Sequence, residues 1–504
     1  MIYDKYKPFR NYIRQFNLTV SLHNIWHYSQ HLLNNKALPK GFTPSGQQPI
    51  KNLVRPWELN ILLREIILHA SSNGEKNLNT YGDLIKAINK IRELENEISE
   101  VTLEPSQILS ELHRVAHHQF PWQQRRDMAT LMRYLKIFGE DAFQSVLIRE
   151  TGLSMLQLYF LGMAIAGHLE KNWIINTLQD YSQFGISADM ANGFFKKMSI
   201  NIHQLKELTQ CEQCYDDRWP YTWNPIEGKP FISFDLLKSN FVCCPMPLFL
   251  IKKITYGIFY ELISAANFDN AYGISFQNYV GEVIREIYTF PLYSLMDERP
   301  YNDGKNIKHG VDWILADNTA NIFVECKTKR LNQEAKITLN GNILDSQFDV
   351  MAGAIVQIYK NIIDAINGKS NWSFNKFPIY PLVITLEDWF LFSPPIVNRL
   401  NEKVMLGLIK ASIDENVLET MPYTVASIDE FELVSQVIAS VGIQHFFSKK
   451  TSITNRGIML RPFTWTAFET EFKNANHQLF ESDWHRLIPS MAKGWVPEIR
   501  PEIL

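Results

Sequence analysis

The spacing of apolar positions divides the chain into a helical first half and a mixed second half. Up to about residue 245 apolar residues recur three and four apart, in PWELNILLREIILHA, TYGDLIKAINKIRELENEI and PSQILSELHRVAHHQF, and strand-like runs are rare. Thr80 before YGDL and Ser154 before MLQL stand where a hydroxyl can take up free backbone N–H groups, so both predict helix starts. NKALPKGFTPSGQQPIKN and ASSNGEKNLN predict connections. RETGLSMLQLYFLGMAI and YSQFGISADMANGFFKKM share a Gly-apolar-Ser entry, with Ser154 and Ser187 33 residues apart. Two copies fall short of a repeat array, and recurring cap chemistry accounts for the likeness.

Past residue 245 the period changes. MPLFLIKKITYGIFYELISAANF predicts a helix and SFQNYVGEVIREIY another. Residues 311–316 are apolar apart from Asp312, NIFVECK alternates, and Asp317-Asn318-Thr319 between them supplies turn chemistry, which together predict a β-hairpin. LDSQFDVMAGAIVQIYKNIIDAI then reads as an amphipathic helix and FPIYPLVITL as a strand. VNRLNEKVMLGLIKASI and SIDEFELVSQVIASVG predict further helices, followed by FTWTAFETEFKNA and ESDWHRLIPSM. Three regions result: residues 1–245, mainly helical; 246–395, α/β; and 396–504, mainly helical.

The hairpin carries the candidate chemistry. Successive strand residues point to opposite faces, so Glu325 and Lys327 share one face while Ile322, Val324 and Cys326 share the other, which suits burial. On the first strand Val311, Trp313 and Leu315 form the apolar face and Asp312 points away from it. Pairing around the turn brings Asp312 and Glu325 together, with Lys327 beside them. Two adjacent carboxylates repel, and a hard cation such as Mg²⁺ satisfies both. Such a cation polarises a phosphodiester and lowers the pKa of a bound water, while a lysine positions that water. Context is what distinguishes this set, because Glu334-Ala335-Lys336 and Glu471-Phe472-Lys473 have the same acid-x-Lys spacing without a preceding strand that bears an Asp.

Asp312 followed by Glu325-Cys326-Lys327 on successive strands resembles the PD-(D/E)XK, or restriction-endonuclease-like, nuclease superfamily. The fit covers roughly residues 274 to 386. It implies an α/β core with a mixed central sheet flanked by helices, here between a large helical N-terminal region and a helical C-terminal extension. It also implies a Mg²⁺-dependent endonuclease, with Mn²⁺ able to substitute and DNA ahead of RNA as substrate, in a setting of restriction or anti-phage defence. Asp312 and Glu325 would hold the metal and Lys327 the water. Glu282, on the helix before the hairpin, matches the further acid many members carry. Val311 stands where the motif has Pro, and Gln357 and Tyr359 have the wrong spacing for the exonuclease signature.

Composition adds limits. The 504 residues suffice for two to four domains, 46% of them are hydrophobic and 20% charged, and the net charge of −3 gives no global basic field. Nucleic-acid contact therefore falls to local patches: Lys329, Arg330 and Lys336 after the key strand, with Lys360 and Gln347 on the next helix. HRVAHHQFPWQQRRDM interleaves rings and bases. It is either a stacking and phosphate-holding stretch or a junction where Pro121 starts a second helix. Cys211 and Cys214 are spaced CxxC, but Cys243-Cys244 are adjacent, which is awkward for zinc. Five cysteines without a signal peptide place the chain in the reducing cytoplasm. MLQLYFLGMAIAGHL falls short of the roughly twenty residues a membrane span needs, so a buried helix is expected. There is no Walker A loop, GxSxG or HExxH. The helical regions are left as surfaces for a second copy or a partner protein.

Overall fold

The computed structural model describes residues 2–104, 107–234, 240–338 and 341–487. The chain forms two compact units in place of the three regions expected. The first takes in the described residues up to 104 and from 118 to 268, the second those from 107 to 117 and from 269 to 487.

The first unit is mainly helical. Thr80 accepts the Asp83 N–H, Ser154 that of Gln157 and Ser187 that of Met190, so all three hydroxyls begin helices. Met155–Leu169 is buried along most of its length. Among the described residues no single helix is long and apolar enough to cross a membrane; it and Asp141–Thr151 meet that standard only as a pair bent by 56°. Periodicity missed a small sheet of four three-residue strands: Ile174–Asn176, Ser199–Asn201, Phe231–Ser233 and Phe241–Cys243. The single helix expected after residue 245 is instead three short pieces, Leu248–Ile254, Tyr256–Ile258 and Phe259–Leu262. The break falls at Thr255, whose backbone leaves helical space at φ −108° and ψ −111°. Pro121 lies inside the helix Ile108–Gln123 rather than opening the next one, which starts at Asp127.

The second unit is built on a five-stranded sheet. Helix α1 (Phe268–Ile287) precedes β1 (Ser294–Asp297), β2 (Trp313–Ala316) and β3 (Asn321–Lys327). Helix α2 (Gly341–Ile366) crosses to β4 (Ile379–Thr385), and α3 (Pro394–Lys410) to β5 (Thr424–Ser427), which runs straight into α4 (Ile428–Val441). The spatial order is β5-β4-β3-β2-β1. β2 runs antiparallel to both β1 and β3, and β3, β4 and β5 are parallel. The region after residue 395 is thus no separate extension: β5 completes the sheet, and Ile396, Leu400, Val404 and Leu408 of α3 join the core formed by α2, Phe323 and Val383. The described part of ESDWHRLIPSM is the helix Glu481–Leu487; the rest of that stretch lies outside the described residues.

Strand β3 lies between β2 and β4, and every residue from Asn321 to Glu325 is buried. Alternation predicted burial of only one face of β3, and on the preceding segment Val311, expected beside Trp313 and Leu315, packs instead with Phe323 in the α2 core. Phe323 faces the α2 core while Ile322 and Val324 face the other way, and parallel strands covered on both sides read as nearly continuous apolar runs. Gly281 fixes α1 against β2. A Cβ there would come within 2.3 Å of the Trp313 ring, and the Trp313 indole donates to the Gln277 carbonyl at 2.9 Å.

Candidate active site

The turn between β2 and β3 is held by one side chain. Asp317 Oδ1 accepts the Thr319 and Ala320 N–H groups at 2.7 and 2.9 Å and the Thr319 hydroxyl at 2.6 Å, while Oδ2 accepts the Ile443 N–H at 2.9 Å. Burial raises the Asp317 pKa, but these donors outweigh it and hold the carboxyl below its usual range. A turn so fixed sets the register. Trp313 pairs with Val324, so Asp312, just before the strand, is carried opposite Glu325, which shares the Phe323 face of β3.

At the end of this ladder the expected three residues meet. The Lys327 ammonium donates to Glu325 Oε1 at 2.6 Å, and Asp312 Oδ2 accepts the backbone N–H of Cys326 at 2.6 Å. Glu325 is 7% exposed. Burial, and then the charge of Glu325, push the Asp312 carboxyl up to about 7 against the opposing pull of the Cys326 N–H and Lys327. Burial raises Glu325 too, partly offset by Lys327. Burial opposes a charged Lys327, yet the neighbouring carboxylates prevail and hold its ammonium above the ordinary range. The Cys326 thiol is pushed well up by burial, consistent with packing.

Sequence reasoning missed one acid here. Asp297 pairs with Trp313, so Glu298 follows on the edge strand beside Asp312, and its charge raises both Asp312 and Glu325. His309 meets Glu298 at 2.9 Å, and Gln277 of α1 reaches it at 3.5 Å. Strand β1 has only four residues and no alternation, so nothing in the pattern marked Glu298. Glu282 stands partly exposed on α1.

The expected phosphate cations are differently engaged. Arg330 and Lys336 both bind Glu387, each at 3.2 Å, and Arg330 also donates to the Tyr272 hydroxyl at 2.9 Å. These two cations draw the Glu387 carboxyl down against a burial effect that would raise it. They are therefore structural counter-ions rather than a free phosphate patch. Lys329 is exposed, with its carbonyl accepting the Trp389 indole at 3.3 Å. Lys360 is exposed on α2, one turn before Asp364. Gln347 is 9% exposed, and its buried Oε1 has no hydrogen-bond partner.

Other candidate chemistry resolves into packing. Trp122 and Arg126 are buried and Arg125 pairs with Asp127, which makes HRVAHHQFPWQQRRDM a helix junction. Cys243 and Cys244 are buried, Cys214 is partly buried and Cys211 exposed; all five cysteines are free.

Among the described residues no group of three or more His, Cys, Asp and Glu could hold a metal ion. The donor set on offer is two carboxylates, each with one oxygen engaged. Mg²⁺ suits such a set, since it keeps several waters and uses one or two carboxylates together with substrate phosphate. A surplus of negative charge, three acids to one lysine, favours a cation in the same place. Compared with family models, curated proteins and solved structures, the chain matches none of them.

Proposed function

We propose that the chain is a metal-dependent endonuclease that hydrolyses phosphodiester bonds, with DNA as its substrate and a core of the restriction-endonuclease-like type. The observation that carries the reading is the convergence of Asp312, Glu325 and Lys327 at the end of the β2–β3 ladder, where an under-compensated acid pair lies beside one cation. The order of hairpin, crossing helix and parallel strand supports it.

Asp312 Oδ1 and Glu325 Oε2, the oxygens not engaged by Cys326 and Lys327, would hold Mg²⁺ or Mn²⁺. Bound there, such an ion lowers the pKa of water and draws charge from phosphate oxygens. The Cys326 N–H fixes the orientation of Asp312, leaving one oxygen directed to the site. Lys327 stays protonated because two carboxylates face it, so it acts as a fixed positive charge that orients the attacking water and stabilises the phosphorane-like transition state, and not as a base. Glu298 strengthens the negative field that draws in a cation.

The test is cleavage of plasmid, linear duplex, single-stranded DNA and RNA by wild type, Glu325→Ala and Lys327→Ala, each with Mg²⁺, Mn²⁺ or EDTA. Cutting of DNA that needs the cation and disappears in both variants is expected. Cutting that survives either substitution, or EDTA, overturns the assignment, and cutting confined to RNA changes the substrate.

A further inference from the structure

The first unit holds a second cluster that the proposed reaction does not use. Three helices and a following loop build it: Ile2–Ile13 supplies Tyr3, Tyr6 and Arg10, with Arg14 just beyond; Pro56–His69 supplies Glu65 and His69; Ile202–Glu212 supplies Lys206; and Tyr215 follows. Its floor is a saturated carboxylate. Glu65 is 0% exposed and accepts from Tyr6 Oη at 2.6 Å, Arg64 Nη2 at 3.0 Å, Gln213 Nε2 at 3.0 Å and Trp219 Nε1 at 3.1 Å. Tyr6 Oη also meets His69 Nε2 at 2.5 Å. The tyrosine has one proton and gives it to Glu65, so His69 donates to Tyr6 and the imidazole is tied down as part of the floor.

Above that floor, positive charge is left over. Arg14, Lys206 and Arg10 all lie close enough for their charges to act on His69. Arg14 and Lys206 are exposed, and among the described residues no carboxylate pairs with any of the three. Arg10 uses its guanidinium on the Tyr3 hydroxyl at 2.6 Å and on Asn11 at 3.2 Å. Glu65 cannot serve these cations, because its oxygens are taken beneath them. Nearby Asp4 and Glu97 are bound to Lys7 and Lys5. Beside the cations two tyrosine rings are partly exposed: Tyr3 and Tyr215 are each 37% exposed and meet edge to face at 5.0 Å, Tyr3 with Lys7 and Arg10 over its ring and Tyr215 packed on Tyr6.

Unpaired cations that converge beside exposed rings make a surface with two complementary needs, an anionic backbone and flat apolar faces. Single-stranded nucleic acid meets both, with phosphates on the cations and unpaired bases on the rings; a duplex keeps its bases stacked away, and a bare polyanion leaves the rings idle. We infer that Tyr3, Arg10, Arg14, Lys206 and Tyr215 form a binding surface for single-stranded nucleic acid, separate from the acidic pair. This inference does not depend on the cleavage reading.

The experiment uses the full chain carrying Asp312→Asn, in EDTA so that no cutting interferes. Binding of fluorescein-labelled (dT)20, (rU)20 and a 20-base-pair duplex is followed by anisotropy from low to high salt. Single strands should bind more tightly than the duplex. Arg14→Ala with Lys206→Ala should weaken binding about tenfold or more and flatten the plot of log affinity against log salt by roughly 1.4, the loss of two single-strand phosphate contacts. Tyr215→Ala should weaken binding by on the order of tenfold at unchanged slope. Arg14, Lys206 and Tyr215 are exposed, and thermal melting checks that each variant folds. No single-strand binding at low salt, or an unchanged slope in the double variant, overturns the proposal. So does Tyr215→Ala binding like the parent while polyphosphate competes fully, which would mean a polyanion site. Plasmid cleavage by wild type is read separately, so a chain that binds strands and cuts nothing fails the nuclease reading alone.

Discussion

Two acidic groups stand at the ends of neighbouring parallel strands, and the fold treats them in opposite ways. Glu387 follows β4 and is clasped by Arg330 and Lys336, which pull its carboxyl below the ordinary range. Asp312 and Glu325, at the end of the β2–β3 ladder, share one lysine, and Asp312 is pushed up to about 7. The two sites are linked by a 3.1 Å hydrogen bond from the Leu386 N–H to the Lys327 carbonyl, so location in the fold does not explain the difference. Counter-charge does. An acid given two cations is part of the scaffold; a pair given one is strained in a way that a substrate or cation can relieve.

The sharpest way to break the contrast is to remove the single lysine. Lys327→Ala, like Glu325→Ala, should lower the cleavage rate by on the order of 10²–10³ or more, measured on plasmid DNA with Mg²⁺. Next comes the clasped acid. Glu387→Gln leaves Arg330 and Lys336 facing each other around a neutral amide and should cost about 1–3 kcal/mol by denaturant unfolding. Because the Glu387 pKa lies lower in the fold than its ordinary 4.5, its contribution is present above that pH and is lost as pH falls below it, so the variant should also lose part of the wild type's acid sensitivity.

Asp312 should behave with the reverse sign. It binds its proton more tightly in the fold than at its ordinary 3.8, so its contribution is full below that pH and disappears as pH rises through about 7. Asp312→Asn keeps an acceptor for the Cys326 N–H while removing the charge. It should therefore abolish cleavage yet raise stability at pH 8 by about 1–3 kcal/mol, a gain that vanishes near pH 4 in paired unfolding curves. The smallest effect is expected at Lys360, exposed on α2, where Lys360→Ala should leave cleavage within about twofold and stability within about 0.5 kcal/mol.

How far the sequence carried the reading follows from range and length. The β2–β3 hairpin was legible because alternation, a turn signal and the Asp312-to-Glu325 spacing are all local. So was α2, since 26 residues of helical period leave little ambiguity. Strands β1 and β5, of four residues each, carry too little alternation to be seen, and Glu298 was lost with β1. The pairing of Arg330 and Lys336 with Glu387 was not legible because Glu387 lies 51 residues beyond Lys336, and pairing over that distance leaves no spacing to read. Burial of the Phe323 and Glu325 face of β3 left no local signal for a related reason: α2, which packs on that face, comes later in the chain. The Tyr6, Glu65, His69 cluster was invisible because it joins two helices whose contributing residues stand 59 and 63 positions apart.

Asp317 has one further consequence. One of its oxygens ties the β2–β3 turn and the other holds the N–H of Ile443, 126 residues later. During synthesis from the N-terminus, the hairpin bearing the acidic pair emerges long before the segment that anchors its turn, and before β4 and β5 can flank it. The ribosome must deliver the chain as far as Ile443 before the second oxygen of Asp317 finds its donor. Until then the hairpin stands on its local turn alone, without the strands that flank it in the finished sheet.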